Sequence, residues 1–291
     1  MRGVVALIAL AGCNQVFGLH ATQESPASDA QFFDAPIDAP FRCPPAGTTP
    51  RFSTAPHQVL FRLCTRYVIS ADANLAMAMC DGNEVAQGPV EGRLTAVSDL
   101  TSTDTNVQRS IPQLSPEGDF VFVHEYVFAQ SKASFVRYRH AAGDHWTRDG
   151  VLVMPAVVTG PLIEISTPTR GPVRRVIVRD NTANLYELID DGSNTLQMHA
   201  TYTPADLGVF NAQSAMLSAD GMRLVLYGTK PDGNGNVIQS VWYTDRPTIA
   251  DRFRPVDRML DVPVITDPFL SEDCARLYFS GIGSIWYVQQ L

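Results

Sequence analysis

Hydrophobic and polar positions alternate with a period of two along most of the chain after residue 50, as in FVFVHEY (Phe120–Tyr126) and RLVLYG (Arg223–Gly228). Alternation of this kind marks half-buried strands, and apolar spacing at i, i+3 and i+4 is nearly absent, so an all-β domain is predicted. Four segments repeat a larger pattern: a hydrophobic approach, a serine, a polar turn and a β-rich run. They are YVISADANLAMAM (Tyr67–Met79), QLSPEGDFVFV (Gln113–Val123), MLSADGMRLVLYG (Met216–Gly228) and FLSEDCARLYFSG (Phe269–Gly281). EISTPTRGPVRRVIV (Glu164–Val178) is a weaker fifth. Their serines, Ser70, Ser115, Ser166, Ser218 and Ser271, are spaced by 45, 51, 52 and 53 residues. A period of about 40–50 residues with short strands is that of propeller blades, whereas a two-sheet sandwich has no need of one.

The turn has a physical reason. Serine and aspartate oxygens accept backbone N–H bonds, and glycine supplies the positive φ that a tight connection needs. A further strand marked by aromatics follows each turn in four of the units: FVRYR (Phe135–Arg139), LYELI (Leu185–Ile189), SVWYT (Ser240–Thr244) and SIWYV (Ser284–Val288). Five turns predict a β-propeller of about five four-stranded blades, with six possible if one blade has diverged. The chain ends just after SIWYV, one strand short of a complete blade, and RFSTAPHQVLFRL (Arg51–Leu63) is the segment available to supply the missing strand. Closure of this kind leaves no free edge strand.

The Ser-Pro-Asp-Gly-like turn, the apolar strand and the Ile/Val-Trp/Tyr strand together resemble the TolB-like, or PD40, type of propeller repeat. LSPEGDFVFV and MLSADGMRLVLYGTKPDGNGNVIQSVWYTDR match it best, and the resemblance runs from about Tyr67 to the end. It implies a fold, and as partner another envelope protein or a peptidoglycan-associated lipoprotein. The chain lacks room for that family's additional N-terminal domain, so the specific partner does not carry over.

The amino terminus, MRGVVALIALAGC, has one basic residue, Arg2, then the apolar run Val4–Leu10, then Leu10-Ala11-Gly12-Cys13. The run is too short to span a bilayer, which takes about 20 apolar residues, and the order of features is that of a secretory signal. Its last four residues resemble the lipobox of bacterial lipoproteins, which implies cleavage before Cys13 and its lipidation. Asn14, where an inner-membrane retention signal often has aspartate, implies the outer membrane, facing the periplasm or the cell surface. The organisation expected is a signal peptide at 1–12, a lipidated Cys13 and tether at 13–45, and the propeller at 46–291. The tether stretch His20–Pro45 is rich in Ala, Asp, Pro and Ser and cannot bury enough apolar surface to offset its ordering entropy.

Composition narrows the partners. Of the 291 residues 45% are hydrophobic and 18% charged, which is ample for a core. The net charge is −8, or −9 once residues 1–12 and Arg2 are removed, and no Lys/Arg run appears; nucleic acid is therefore not an expected partner. A monomer is expected.

With Cys13 assigned to lipid, Cys43, Cys64, Cys80 and Cys274 remain, and four cysteines in an exported chain suggest two disulfides. Three connectivities are possible; Cys64 and Cys80 flank the first turn symmetrically and would lie opposite each other across a hairpin, so the preferred pairing is Cys64 with Cys80 and Cys43 with Cys274. No pair has the short spacing of a zinc site.

Catalytic signals are sparse. No G-x-S-x-G or H-E-x-x-H occurs; His140 and His145 fall in RHAAGDHW, read as a hairpin loop around Gly143. The stretch from Asp232 to Asn236 begins like a calcium loop, but Val237 and Tyr243 replace the required glycine and glutamate, so it reads as a hairpin turn. No cofactor is expected. Five-bladed propellers also serve glycan-cleaving enzymes with carboxylates around the channel, for which Glu125, Glu164 and Asp180 are candidates on or beside strands. Asp190-Asp191 reads as a turn, and Trp242 and Trp286 as blade-packing residues. The leading expectation is a lipid-anchored envelope propeller that binds or scaffolds; the alternative is a surface glycan-binding or glycan-hydrolysing one.

Overall fold

The strands predicted from alternation form five four-stranded antiparallel sheets, the blades of a β-propeller with almost no helix. The computed structural model describes residues 49–60, 63–81, 84–232, 234, 236–258, 266–281 and 284–291. The leader, the tether, Cys13 and Cys43 lie outside the described residues.

After β1 (His57–Leu60), blade I is built from β2 (Cys64–Ile69), β3 (Ala76–Cys80), β4 (Glu84–Gly88) and β5 (Thr95–Ala96). Blade II comprises β6 (Val107–Leu114), β7 (Phe120–Val127), β8 (Lys132–His140) and β9 (Trp146–Val151). Blade III comprises β10 (Leu162–Ile165), β11 (Arg174–Asp180), β12 (Leu185–Asp190) and β13 (Gln197–Tyr202). A four-residue helix, α1 (Pro204–Leu207), leads to blade IV: β14 (Asn211–Leu217), β15 (Arg223–Pro231), β16 (Val237–Asp245) and β17 (Asp257–Arg258). Blade V has β18 (Thr266–Leu270), β19 (Arg276–Gly281) and β20 (Ser284–Gln289), and its fourth strand is β1, antiparallel to β20. The N-terminal segment thus supplies the missing strand, and the ring closes by strand pairing between its two ends.

The repeated serine is the keystone of each turn. In four turns its hydroxyl donates to a nearby aspartate: Ser70 to Asp72 (2.6 Å), Ser115 to Asp119 (2.6 Å), Ser218 to Asp220 (2.6 Å), and Ser271 to Asp273. In all five it accepts a backbone amide at or near the start of the next strand or, for Ser166, within it: from Leu75, Phe120, Ile177, Arg223 and Arg276 at 2.9–3.1 Å. Three residues after the serine the backbone is left-handed in four turns, at Ala73 (φ 55), Gly118 (φ 72), Gly221 (φ 70) and Cys274 (φ 57). Cys274 therefore takes the strained conformation that glycine adopts freely in two of its counterparts. Ser218→Ala is expected to lower the unfolding free energy by about 1–3 kcal/mol, because the buried Arg223 amide loses its acceptor. Denaturant unfolding against wild type measures it.

Blades pack face to face through the buried faces of their strands, and polar staples join them. Arg137 in blade II is 2% exposed and reaches Asp190 (2.6 Å) and the Gly192 carbonyl (2.7 Å) in blade III, over the rings of Phe120 and Phe122. This corrects the reading of Asp190 as a turn residue: it ends β12 fully buried, and the turn begins at Asp191. The indole of Trp146 donates to Gln87 (2.8 Å) between blades II and I. Trp242 donates to the Gly228 carbonyl (3.0 Å) within blade IV, and at the equivalent place in blade V Gly281 lies so near the Trp286 ring that a Cβ would meet it at 2.7 Å. Both tryptophans serve blade packing, as expected.

Cys64 and Cys80 are directly paired in register across β2 and β3 and form a disulfide, as expected. Cys274 is disulfide-bonded as well; its expected partner, Cys43, is outside the described residues. RHAAGDHW makes a hairpin connection, and Asp232, Asn234 and Asn236 lie between the paired strands β15 and β16. In the first, Ala141 N–H donates to the His145 carbonyl (2.9 Å); in the second, Asp232 accepts the amides of Asn234 (2.7 Å) and Asn236 (3.0 Å).

Candidate functional site in the central channel

The innermost strands β2, β6, β10, β14 and β18 surround the axis, and each interrupts its pairing with one irregularity. The breaks fall between Thr65 and Val68, Ser110 and Gln113, Leu162 and Glu164, Ala212 and Ser214, and Thr266 and Phe269. In three of them the residue four before the turn serine is left-handed: Arg66 (φ 56), Ile111 (φ 55) and Asp267 (φ 54). Such a conformation costs a non-glycine residue about 1–3 kcal/mol and persists where surrounding structure over-determines it. Bulges re-aim side chains, and here they bring Arg66 and Asp267 to one small cavity that Glu164 and Gln113 also line.

Four side chains make the polar centre of that region. Arg66 pairs through Nη1 with Asp267 (2.7 Å) and with Glu164. The other Glu164 oxygen accepts from Arg179 Nε (3.3 Å). Burial pushes the Glu164 carboxyl above the usual carboxylate range; repulsion from Asp267 adds to this, and Arg66 and Arg179 oppose it. Burial disfavours the Arg66 charge, yet Glu164 and Asp267 outweigh it and hold the guanidinium above its ordinary value. Beside them Gln113 accepts a hydrogen bond from Thr167 Oγ1 (2.8 Å).

The Glu164 shift has a pH consequence. A carboxyl raised in the folded state holds its proton where the unfolded chain has lost it, so its contribution is present below the unfolded value of about 4.3 and is lost as pH rises through the folded value. Wild type is expected to lose stability over that interval, and Glu164→Gln to remove the slope. Urea midpoints measured across the interval check this.

The other two candidate carboxylates, Glu125 and Asp180, are elsewhere, and both are buried. Glu125 in β7 is 6% exposed and accepts from Tyr138 (2.7 Å), Arg109 (2.9 Å) and Arg148 (3.2 Å). Burial opposes its charge, but these partners hold its pKa low. Asp180 is 3% exposed and gathers Thr182, Asn184 and Tyr186 around the β11–β12 turn, with its pKa lowered by those bonds against burial. Both are structural anchors, so of the three candidates the channel contains only Glu164. Arg66, Asp267 and Arg179 were not singled out. A signal for two of them existed: Arg66 and Asp267 both stand four residues before a turn serine.

Toward the serine turns the channel continues past Met216 and Phe269 to a second small cavity lined in part by residues of the turns. Adjacent turns are stitched by backbone bonds, Ala71 N–H to the Pro116 carbonyl (2.7 Å) and Arg170 N–H to the Ala219 carbonyl (3.0 Å).

No protein-family model and no curated protein sequence matches the chain. Solved structures do. The catalytic domain of the GH62 α-L-arabinofuranosidase of Coprinopsis cinerea is 10% identical over 83% of this chain and 97% of that one, with a TM-score of 0.50. The α-L-arabinofuranosidase of Podospora anserina solved with cellotriose is 9% identical over 84% and 98%, TM-score 0.49. The β-propeller domain of Myceliophteria thermophila Cps50 (Swd1) is 10% identical over 83% and 99%, TM-score 0.46. At such identity the likeness concerns the propeller fold alone.

Proposed function

We propose that the chain is a lipid-anchored propeller of the cell envelope that acts as a binding or scaffolding module. The observation that supports this most is the arginine clamp in the channel. Both carboxylates nearest the axis, Glu164 and Asp267, are engaged by one guanidinium, and Glu164 by a second. A hydrolytic pair must be free to reach a scissile oxygen and a water, and these two are committed to Arg66 instead. A rigid ring of five blades offering many connecting loops suits recognition. The partner in this reading is an envelope protein, and the anchor is a lipid on Cys13 at the outer membrane. Cross-linking in intact cells is expected to capture one specific envelope protein, and a lipid-analogue label is expected on wild type and absent from Cys13→Ser.

One observation favours a second reading, a surface glycan hydrolase. A carboxyl with raised pKa beside another carboxylate is the asymmetry that acid–base cleavage uses. Incubation with a glycan panel separates the two. Turnover that Glu164→Gln abolishes overturns the binding reading, and specific capture without turnover retires the enzyme.

A further inference from the structure

We propose that the ring of His124, packed where blade II meets the first residue of β10 in blade III, makes that contact acid-sensitive: charging the ring loosens β10 and, with it, the hold of Arg66 on Glu164. The device is independent of whether the channel binds or cleaves.

His124 stands in β7, paired in register with Ser110 of β6 and Phe135 of β8. Paired residues of an antiparallel sheet share a face. On this one the ring tilts against Phe135 at 5.3 Å between centroids, and Nδ1 lies 3.4 Å from the Ser110 hydroxyl. Nε2 is buried and has no hydrogen-bond partner. From blade III the main chain of Leu162 acts on the ring and favours its charged form, but burial outweighs it and holds the pKa below the ordinary histidine value.

The charges on the surrounding strands are engaged elsewhere. Glu125 of β7 and Arg109 of β6 bond to each other (2.9 Å), and Glu125 belongs to the opposite face of its strand. On β8, Arg137 is taken by Asp190 (2.6 Å). On β10, Glu164 is held by Arg66 and Arg179, and beside it in β11 Asp180 is held by Thr182, Asn184 and Tyr186. None of these charges bears on His124, whose shift comes from burial and from Leu162. A proton on the ring makes both nitrogens donors and adds a charge where the described residues supply no counter-ion.

The strand that must yield is weakly fixed. β10 has four residues, and its pairing with β11 shifts register between Leu162 and Glu164. Leu162, which faces His124, and Glu164, which Arg66 clamps, thus flank one irregularity. Displacement of Leu162 by a charged ring passes to Glu164 over two residues of backbone, where a continuous ladder would resist it. Because the neutral ring is the form that fits, the contact is intact above the unfolded value of about 6.5 and is lost as pH falls through the folded midpoint.

The test follows the His124 ring and the β10 amides of the full chain by NMR from about pH 8 to about pH 4. The ring is expected to titrate with a midpoint below about 6.5, and the Leu162 and Glu164 amides to shift with that same midpoint. At the acid end their hydrogen exchange, corrected for its intrinsic dependence on pH, should accelerate about tenfold for each unit by which the midpoint is depressed. Glu164→Gln removes the carboxyl's own titration and should leave the shared midpoint in place. His124→Gln, neutral throughout, should abolish it. A His124 midpoint at or above the ordinary value, β10 amides that ignore the ring, or a transition that survives in His124→Gln overturns the proposal. The first two outcomes are read on wild type, so they decide even if a variant does not fold.

Discussion

Glu187→Ala is expected to lower the unfolding free energy by about 3–5 kcal/mol, more than any single change on the rim of the ring. Glu187 lies in β12 with no exposed surface, and its two oxygens serve three partners in the space between blades III and IV. Arg175 donates at 2.9 Å, Arg246 at 3.0 and 2.9 Å, and the Tyr202 hydroxyl at 3.2 Å. Arg246 is itself fully buried, stacked on Phe253 and bonded to the Gly221 carbonyl, so it cannot follow its charge into water. Removing the glutamate strands that cation in a low-dielectric interface. Glu187→Gln, which retains shape and one acceptor, separates the charge from the packing. The double variant Glu187→Leu with Arg246→Met should recover most of the loss, since well-packed apolar groups replace a buried pair at little net cost. Recovery by neither route would mean that the network fixes the relative placement of the two blades through its hydrogen bonds. Thermal and denaturant unfolding of the four proteins decides.

Loss of the Cys64–Cys80 disulfide is expected to cost about 3 kcal/mol, the loop-closure value for a separation of 16 residues. Both cysteines are buried, so alanine is the substitution to use; serine would add an unsatisfied hydroxyl to the effect. The bridge joins β2, the inner strand of blade I, to β3, beside the seam where β1 completes blade V. Unfolding of Cys64→Ala with Cys80→Ala, compared with wild type plus and minus reductant, checks the expectation. A wild type indifferent to reductant and a variant of wild-type stability would together show that strand closure alone holds the seam.

Much of the architecture was legible because a propeller repeats its instructions. The serine turns recur at nearly constant spacing, and each bonds locally, four through a hydroxyl to an amide five residues on and Ser166 to one eleven residues on, so five copies could be recognised without any tertiary information. The strand that completes blade V was legible for a related reason: one end of the chain was a strand short and the other had a strand to spare. The facing of Cys64 and Cys80 followed from hairpin symmetry about a turn.

Charged side chains were another matter. Glu125 and Asp180 read as candidate channel carboxylates and Asp190 as a turn residue, and each is buried with partners that neutralise or hydrogen-bond it. Glu125 and Asp190 are held by arginines, one from a neighbouring blade, while Asp180 is held by hydroxyls and amides of its own turn. Two of the residues that meet Glu164 in the channel, Arg66 and Asp267, come from blades 98 and 103 positions away in sequence, and only strained bulges point them at the axis.

The sequence alone determined what is set by neighbours along the chain, strand periodicity and turn chemistry, and from these an approximate blade number and the expectation of closure and of one disulfide. Only the tertiary structure decided which charges are buried and which pair, because an ion pair across blades depends on packing distance and desolvation. No local pattern of residues encodes either.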